Sequence, residues 1–453
     1  MADPLWQKSL EQILGPQNVT TAPEAIRRWD WEGSLPHAIA VPDSREQVCE
    51  LLRLANAEGL KVVPFGHGTK LRLGGVAQPV DFAISLERLN KVCDYPASDL
   101  TISVDAGLPV GELASTLQAK GQMLPLDVPF AGQGTVGGTI AANLNGPRRL
   151  AYGTWRDIVL GVQFVTAEGK LAKGGGKVVK NVAGYDIPKL MIGSLGTLGI
   201  LVEITFKVFP IPPASAPMVL NFRSAAEASE AALRILRSPL LPQALDVVDC
   251  PAGTLANEPE WHRNPFTLLA GVAGPEQVLA RFERELPALV RADGLEAFEI
   301  LRGNREADLW GDVQELTPAF LKTHPEGIVV KASLPLTRIG DFITQARPVC
   351  EQHGLAQATL ARAGSGIVYV HLWSKSGDHD QAIGDQFARA SELLIREAEQ
   401  RGGRAFVEWC PAELKSKVNL WGTLGDDFAS MRSLKAALDP KNILSPGRFY
   451  GGI

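Results

Sequence analysis

The chain has 453 residues, room for two or three domains, and 45% of them are apolar, enough for a sizeable core. Its formal net charge of −5, with no basic block, argues against nucleic acid as a main partner. No run of about 18 apolar residues occurs, so no direct membrane insertion is expected. Residues 1–8 lack the apolar core of a secretory signal, which makes a cytoplasmic protein the expectation.

In chain order, Ser44 can cap a helix whose apolar face includes Val48, Leu51, Leu52 and Ala55 and which stops at Gly59. A strand is expected at 61–64, and it runs into Pro64-Phe-Gly-His-Gly-Thr-Lys. The run 100–105 leads through Gly107 to a helix over 111–120. Three more glycine-rich stretches follow. They read Asp127-Val-Pro-Phe-Ala-Gly-Gln-Gly-Thr-Val-Gly-Gly-Thr, Lys173-Gly-Gly-Gly-Lys and Gly193-Ser-Leu-Gly-Thr-Leu-Gly-Ile, each beside an apolar β-like run such as 200–209. Glycine lets backbone N–H groups come close to a ligand, and successive N–H groups in such turns make an anion-binding concavity. Four loops of this kind point to one long phosphate-bearing ligand; the alternative is four tight turns in a β-rich domain. Pro210, Pro212 and Pro213 then mark a boundary, so the first unit is 1–210.

Residues 214–408 have a different rhythm. The first half reads strand 218–222, helix 225–236, strands near Leu245 and over 266–271, helix 276–290, strand 297–301. The second reads strand 327–335, helix 340–353, strands near Ala358 and over 368–373, helix 381–400, strand 404–408. That is βαββαβ twice, which predicts one antiparallel sheet with helices on one face. The last unit, 415–453, is a helix ending at Leu438 and then Asp439-Pro-Lys-Asn-Ile-Leu-Ser-Pro-Gly-Arg. The cysteines are Cys49, Cys93, Cys250, Cys350 and Cys410, with no CxxC, so no iron–sulfur cluster or structural zinc is expected and most should be buried free thiols.

Residues 64–70, 127–146, 152–170, 181–210 and 439–447, and above all Asn181-Val-Ala-Gly-Tyr-Asp followed by Ile-Gly-Ser-Leu-Gly-Thr-Leu-Gly-Ile, carry a family likeness. The chain resembles the FAD-binding oxidases and dehydrogenases of the vanillyl-alcohol-oxidase type, in their glycolate oxidase and D-lactate dehydrogenase branch. The resemblance implies an α+β protein: a two-subdomain FAD-binding fold plus a ferredoxin-like double βαββαβ cap. It implies non-covalent FAD with Phe65, Gly66, His67, Gly68, Thr69 and Lys70 around the pyrophosphate. Asp127, Pro129, Gly134, Thr135, Gly137, Gly138, Ala141, Asn143 and Gly146 would run along pyrophosphate and isoalloxazine, and Gly196, Gly199 and Ile200 would meet the adenine end. His67 stands where most relatives have glycine. It is either a covalent flavin anchor or a phosphate-side histidine, and Thr69 holds the position that matches the covalent histidine of relatives. Tyr185 is expected to pack the FAD unit, and Asp186 to pair with a basic neighbour.

Catalytic members of that branch carry a metal pattern, Gly-His-x-Gly-Asp-Gly-Asn-x-His and later Gly-Glu-His-Gly. Here the matching stretches are Ala361-Arg-Ala-Gly-Ser-Gly-Ile-Val-Tyr and Val407-Glu-Trp-Cys, so Arg362, Tyr369 and Trp409 replace histidines and only Glu408 remains. The arginine of a Trp-x-x-Arg motif becomes Val313 after Trp310. No metal is therefore expected. Arg362 is read either as a clamp for a substrate carboxylate or as a structural ion-pair partner, for instance of Glu408. Lys331 is a second candidate carboxylate binder on a sheet position facing the flavin, and Tyr369 a proton donor or a packing residue. The resemblance implies a flavin subunit of a glycolate-oxidising complex, working with a D-like flavin chain and an iron–sulfur F-like chain beside the membrane. The other possibility is a stand-alone flavin enzyme for another hydroxy acid or an alditol.

Overall fold

The structure is a computed structural model, and it describes residues 5–29, 35–76, 79–177, 184–256, 264–375 and 381–453. The Asn181-Val-Ala part of the family motif lies outside them. Near the N-terminus the local signals act as read. Ser44 accepts a hydrogen bond from the Gln47 amide at the start of the helix Arg45–Glu58, and Gly59 closes it at φ 71°. The helix buries Val48, Leu51, Leu52 and Ala55 against two sheets. One is four-stranded, in the order Val19–Thr20, Ala38–Ala40, Phe82–Ser85, Val62–Phe65. Its last three strands run parallel. The other is an antiparallel five-stranded sheet in the order Val92–Asp94, Thr101–Asp105, Ile200–Lys207, Val159–Val165, Leu171–Gly175.

The third sheet has eight antiparallel strands in the order Ala297–Ile300, Ala214–Phe222, Phe266–Gly274, Ala244–Asp249, Leu355–Arg362, Ile367–Ser374, Ile328–Ser333, Arg404–Trp409. The two βαββαβ halves meet where Val247 and Val248 pair with Ala361 and Leu360. Alternation divides the sheet into two faces. Val330, Ala332, Val368, Val370 and Leu372 join the core under the helices Ala225–Leu236, Glu276–Val290, Ile339–Gln352 and Gln381–Gln400. Val329, Tyr369, Leu360 and Trp409 point the other way, toward Leu73 and Leu144 of the first unit.

That second face corrects the expectation of helices on one side only. The helix Asn304–Thr323 lies on it and contributes Leu309, Val313, Leu316 and Phe320 to the same cluster, with the short helix Cys250–Ala256 beside it. The C-terminal segment returns to the first unit after the helix Phe428–Leu438. There Lys435 Nζ donates to Thr197 O (2.9 Å), Leu444 O (2.8 Å) and Asp439 (2.6 Å). The Asp439 carboxylate in turn accepts the Ile443 and Leu444 amides at 3.0 and 2.8 Å. Among the described residues no helix is long and apolar enough to cross a membrane.

Candidate functional site

Three loops of the first unit converge. Residues 64–71, 135–142 and 194–201 line a cleft of about 710 Å3, with Ala106 and Arg448 on its walls. Among the described residues, the amides of His67, Gly68, Thr69 and Lys70 donate to no other group, so four successive N–H groups remain for a ligand. Gly68 holds the turn at φ 82°. His67 is exposed and its Nδ1 lies 2.9 Å from Gln133 O, which ties this loop to the next. Lys70 Nζ rests 3.0 Å from Thr69 Oγ1 and 5.3 Å from the Phe130 ring centre. Burial pulls its ammonium down to about 8, and Glu315 works in the opposite direction.

Of the residues expected at a cofactor, Phe65, Gly66, His67, Gly68, Thr69, Lys70, Thr135, Gly137, Gly138, Ala141, Gly196, Gly199 and Ile200 all line this cleft. Asp127, Pro129, Gly134, Asn143 and Gly146 do not. Asp127 is held at φ 42° with its carboxylate paired to Arg148, and Gly146 is pressed against the Asp127 and Leu126 carbonyls. Asn143 turns the chain at φ 51° and Gly134 packs by Lys70. Residues 173–177 do not line this cleft: Gly174 abuts Ile187 in an edge strand, and Lys177 pairs with Asp94. Tyr185 is exposed rather than packed, while Asp186 does pair, with Lys189.

A second cavity, of about 360 Å3, lies between the cap sheet and the loop at Pro129. Arg362, Tyr369, Glu408 and Trp409 come to it from three strands, and Val313, Gln314 and Thr317 from the helix Asn304–Thr323. A bulge brings Glu408 here: Val329 pairs with Trp409 but Val330 with Val407, which leaves Glu408 as the extra residue. Trp409 meets Phe130 at 5.4 Å between ring centres. Above, Glu315 accepts the Phe130 and Ala131 amides at 3.2 and 2.9 Å, so the helix Asn304–Thr323 clamps this loop of the first unit.

The cations are partnered differently from expectation. Lys331 is not a free carboxylate binder; its Nζ lies 2.7 Å from Glu408, across the sheet. Burial is the strongest influence and works against its charge, but Glu408 and Tyr369 together outweigh it and hold the ammonium above its ordinary range. With Glu408 taken, Arg362 pairs instead with Asp246, on the strand across the seam between the halves. Burial pushes the Asp246 carboxyl up to about 6 against the pull of Arg362. The pair leaves Arg362 Nε without a partner, although the side chain is buried. The Tyr369 hydroxyl makes no hydrogen bond among the described residues, and Lys331 stands 5.3 Å over its ring. This set does not fit a metal, because two of the four positions are a cation and an indole and the remaining carboxylate is bound to an ammonium. Among the described residues no group of three or more His, Cys, Asp or Glu could hold one.

Residues 36–175 match the family described as FAD binding domain, and residues 211–449 match FAD linked oxidases, C-terminal domain. This chain belongs to the FAD-linked oxidases. It is an FAD-dependent oxidoreductase, and its cofactor is FAD. It is 24% identical to glycolate oxidase subunit GlcD of Bacillus subtilis, over 98% of this chain and 96% of the relative. It is 30% identical to a D-2-hydroxyglutarate dehydrogenase of Xanthomonas citri pv. viticola, over 98% and 96%. The fold is that of p-cresol methylhydroxylase, with a TM-score of 0.78 at 16% identity over 98% of this chain and 95% of that one.

The sequence reading missed Thr317, Gln314 and Arg448. Arg448 donates to the carbonyls of Lys70, Leu71 and Leu73 from the far end of the chain. It also missed that His371 is fully buried behind Thr317. Burial pulls this imidazole from 6.5 down to about 4. The folded protein therefore keeps it neutral, while the unfolded chain takes up a proton below 6.5, so its effect is stability lost as pH falls from 6.5 toward 4. His371→Gln is expected to lose melting temperature less steeply with acid over this window than wild type. Parallel slopes in thermal melts of the two proteins would contradict it.

Proposed function

We propose that this chain is the E-type FAD-binding subunit of a glycolate oxidase complex. It takes part in oxidising glycolate to glyoxylate with a D-like flavin chain, and electrons leave through an iron–sulfur F-like chain, in the cytoplasm beside the membrane. The likeness over 98% of the chain to a glycolate oxidase subunit supports the class. The observation that carries the reading is Arg362, a buried guanidinium that lines the cavity and pairs with one oxygen of Asp246, while its Nε and Asp246 Oδ1 are both left without a hydrogen-bond partner. A buried donor of that kind is complementary to a small carboxylate. A second reading is a stand-alone dehydrogenase of another 2-hydroxy acid or an alditol. The 30% identity to a D-2-hydroxyglutarate dehydrogenase favours it.

In this reading residues 1–210 form the FAD unit, 214–408 the cap and 415–453 the returning segment. FAD is held non-covalently. The free amides of residues 67–70 would hold its pyrophosphate, Thr135, Gly138 and Ala141 would flank its path, and Gly196, Gly199 and Ile200 would meet its adenine end. Bound FAD accepts a hydride from an alcohol carbon and passes the electrons on. The chain's own residues bind and orient. Arg362 grips the carboxylate, Lys331 fixes Glu408, Tyr369 offers its unbonded hydroxyl, and Trp409 with Phe130 keeps water from the space between cavity and cleft.

Glycine substitutions test the cofactor assignment. A Cβ on Gly138 would meet only Thr135 Oγ1, at 3.2 Å, so Gly138→Arg sends its side chain into the cleft. It is expected to purify folded and colourless, judged by flavin absorbance per chain and by circular dichroism. A fully loaded G138R protein would show that the cofactor lies elsewhere. Gly137 is the poorer probe, since its Cβ would strike Ala106 at 2.7 Å and disturb the fold as well.

Activity tests the subunit reading. Without the metal and histidines of relatives, preorganised charge at the reacting oxygen is weaker, a loss on the order of 3 kcal/mol or over a hundredfold in rate. The isolated chain is expected to oxidise glycolate or D-lactate at least about tenfold more slowly than a complex containing a D-like partner. Dye reduction by each preparation measures this. Fast turnover by the chain alone would favour the stand-alone reading.

A further inference from the structure

Thr317 reaches the wall of the 360 Å3 cavity from the helix Asn304–Thr323. Its hydroxyl lies 2.9 Å from Nε2 of His371, and Nδ1 of His371 lies 3.3 Å from the carbonyl oxygen of Ala358. His371 is fully buried and edge-on to Phe320, 5.0 Å between ring centres. A carbonyl oxygen only accepts, so the single proton of the neutral imidazole belongs on Nδ1. Nε2 is then a bare lone pair, and the Thr317 hydroxyl must be the donor to it. A hydroxyl has one proton. Once that proton is committed to His371, Thr317 Oγ1 has only lone pairs left for anything in the cavity.

We propose that Thr317 is a hydrogen-bond acceptor that reads the hydroxyl of a bound 2-hydroxy acid, with His371 as the positioning residue that fixes its polarity. The proposal rests on reading this cavity as the substrate site. Arg362, which lines the same cavity from the strand Leu355–Arg362, supplies the complementary donor for the carboxylate. The two residues thus offer one acceptor and one donor, which is the pattern of an alcohol beside a carboxylate. A ketone in place of the alcohol brings no proton for Thr317, so the keto acid is held less well than the hydroxy acid and leaves. Burial, with Arg362 in range, pulls the His371 imidazole down to about 4, so it is neutral at neutral pH.

The test uses two probes that cannot be oxidised. 2-Hydroxyisobutyrate has the hydroxyl and carboxylate but no hydrogen on the carbinol carbon, and isobutyrate lacks the hydroxyl. Binding of each to the FAD-loaded chain is measured by calorimetry. The hydroxylated probe is expected to bind wild type about tenfold more tightly than isobutyrate. Thr317→Val, close in shape, is expected to bring the ratio to about one. Thr317→Ser keeps the preference, and Thr317→Ala repeats the loss with a smaller side chain. His371→Leu, which frees the hydroxyl to rotate, lowers the ratio at least about threefold. A preference that survives both Thr317→Val and Thr317→Ala overturns the inference while the substrate reading stands. A full preference in His371→Leu overturns the role given to His371. Failure of wild type to bind either probe overturns the substrate reading and this inference together.

Discussion

An arginine and a lysine cannot be taken out of water alone. The cap sheet buries both on the face that meets the FAD unit, and each requires a carboxylate within reach. Lys331 finds Glu408 at 2.7 Å, and Arg362 finds Asp246. Removing one member of such a pair typically costs about 3–5 kcal/mol, because the other is left charged and dry. The two pairs therefore fix the registers around them. The bulge at Glu408 puts that side chain on the same face as Lys331. The seam pairing of Val247 with Ala361 puts Asp246 beside Arg362. Everything else at the cavity, including Tyr369, Trp409 and Thr317, is positioned by strands and a helix that pack against this charged layer.

A metal placed here would have to share Glu408 with an ammonium and sit beside a guanidinium. The same positions suit an anion better, since the Arg362 guanidinium lines the cavity and keeps an Nε without a partner although another of its nitrogens pairs with Asp246. In the proposed reading, recognition at this cavity passes from a divalent cation to a fixed array of hydrogen-bond donors and acceptors. Such an array is stiffer in what it accepts, because each buried polar atom is costly when unmatched. The cofactor cleft follows the opposite logic. It sets the free amides of residues 67–70 beside apolar walls such as Leu71, Leu86, Ile200 and Leu201, a combination that would suit a pyrophosphate with its flanking rings, and its edges are tied by His67 with Gln133 and by Arg448.

Much of this was legible in the sequence. Ser44 and Gly59 mark a helix because a hydroxyl cap and a left-handed stop are local facts. The double βαββαβ pattern was readable because strand alternation and helix amphipathicity are short-range too. The helix Asn304–Thr323 went unread although Leu309, Val313, Leu316 and Phe320 recur at helical spacing. Pro318 inside it is a breaker signal, and it falls between the two repeats. The partner of Arg362 was unreadable for another reason: Asp246 is 116 positions away and becomes a neighbour only through the sheet seam. Nor can a glycine motif show which way each residue faces. Gly137 is packed on Ala106 and Gly138 is open to the cleft, and both read alike as letters.

The central claim is that the buried guanidinium, rather than a metal, holds the substrate carboxylate. Arg362→Lys keeps a cation beside Asp246 but removes the spare donors of the guanidinium fork. The direct measurement is binding of oxalate to the FAD-loaded chain, before and after dialysis against a chelator, for wild type and for this variant. The account predicts that chelation leaves wild-type affinity unchanged and that Arg362→Lys weakens it about tenfold. Binding that disappears on chelation, returns with zinc or manganese, and is indifferent to Arg362→Lys would contradict it.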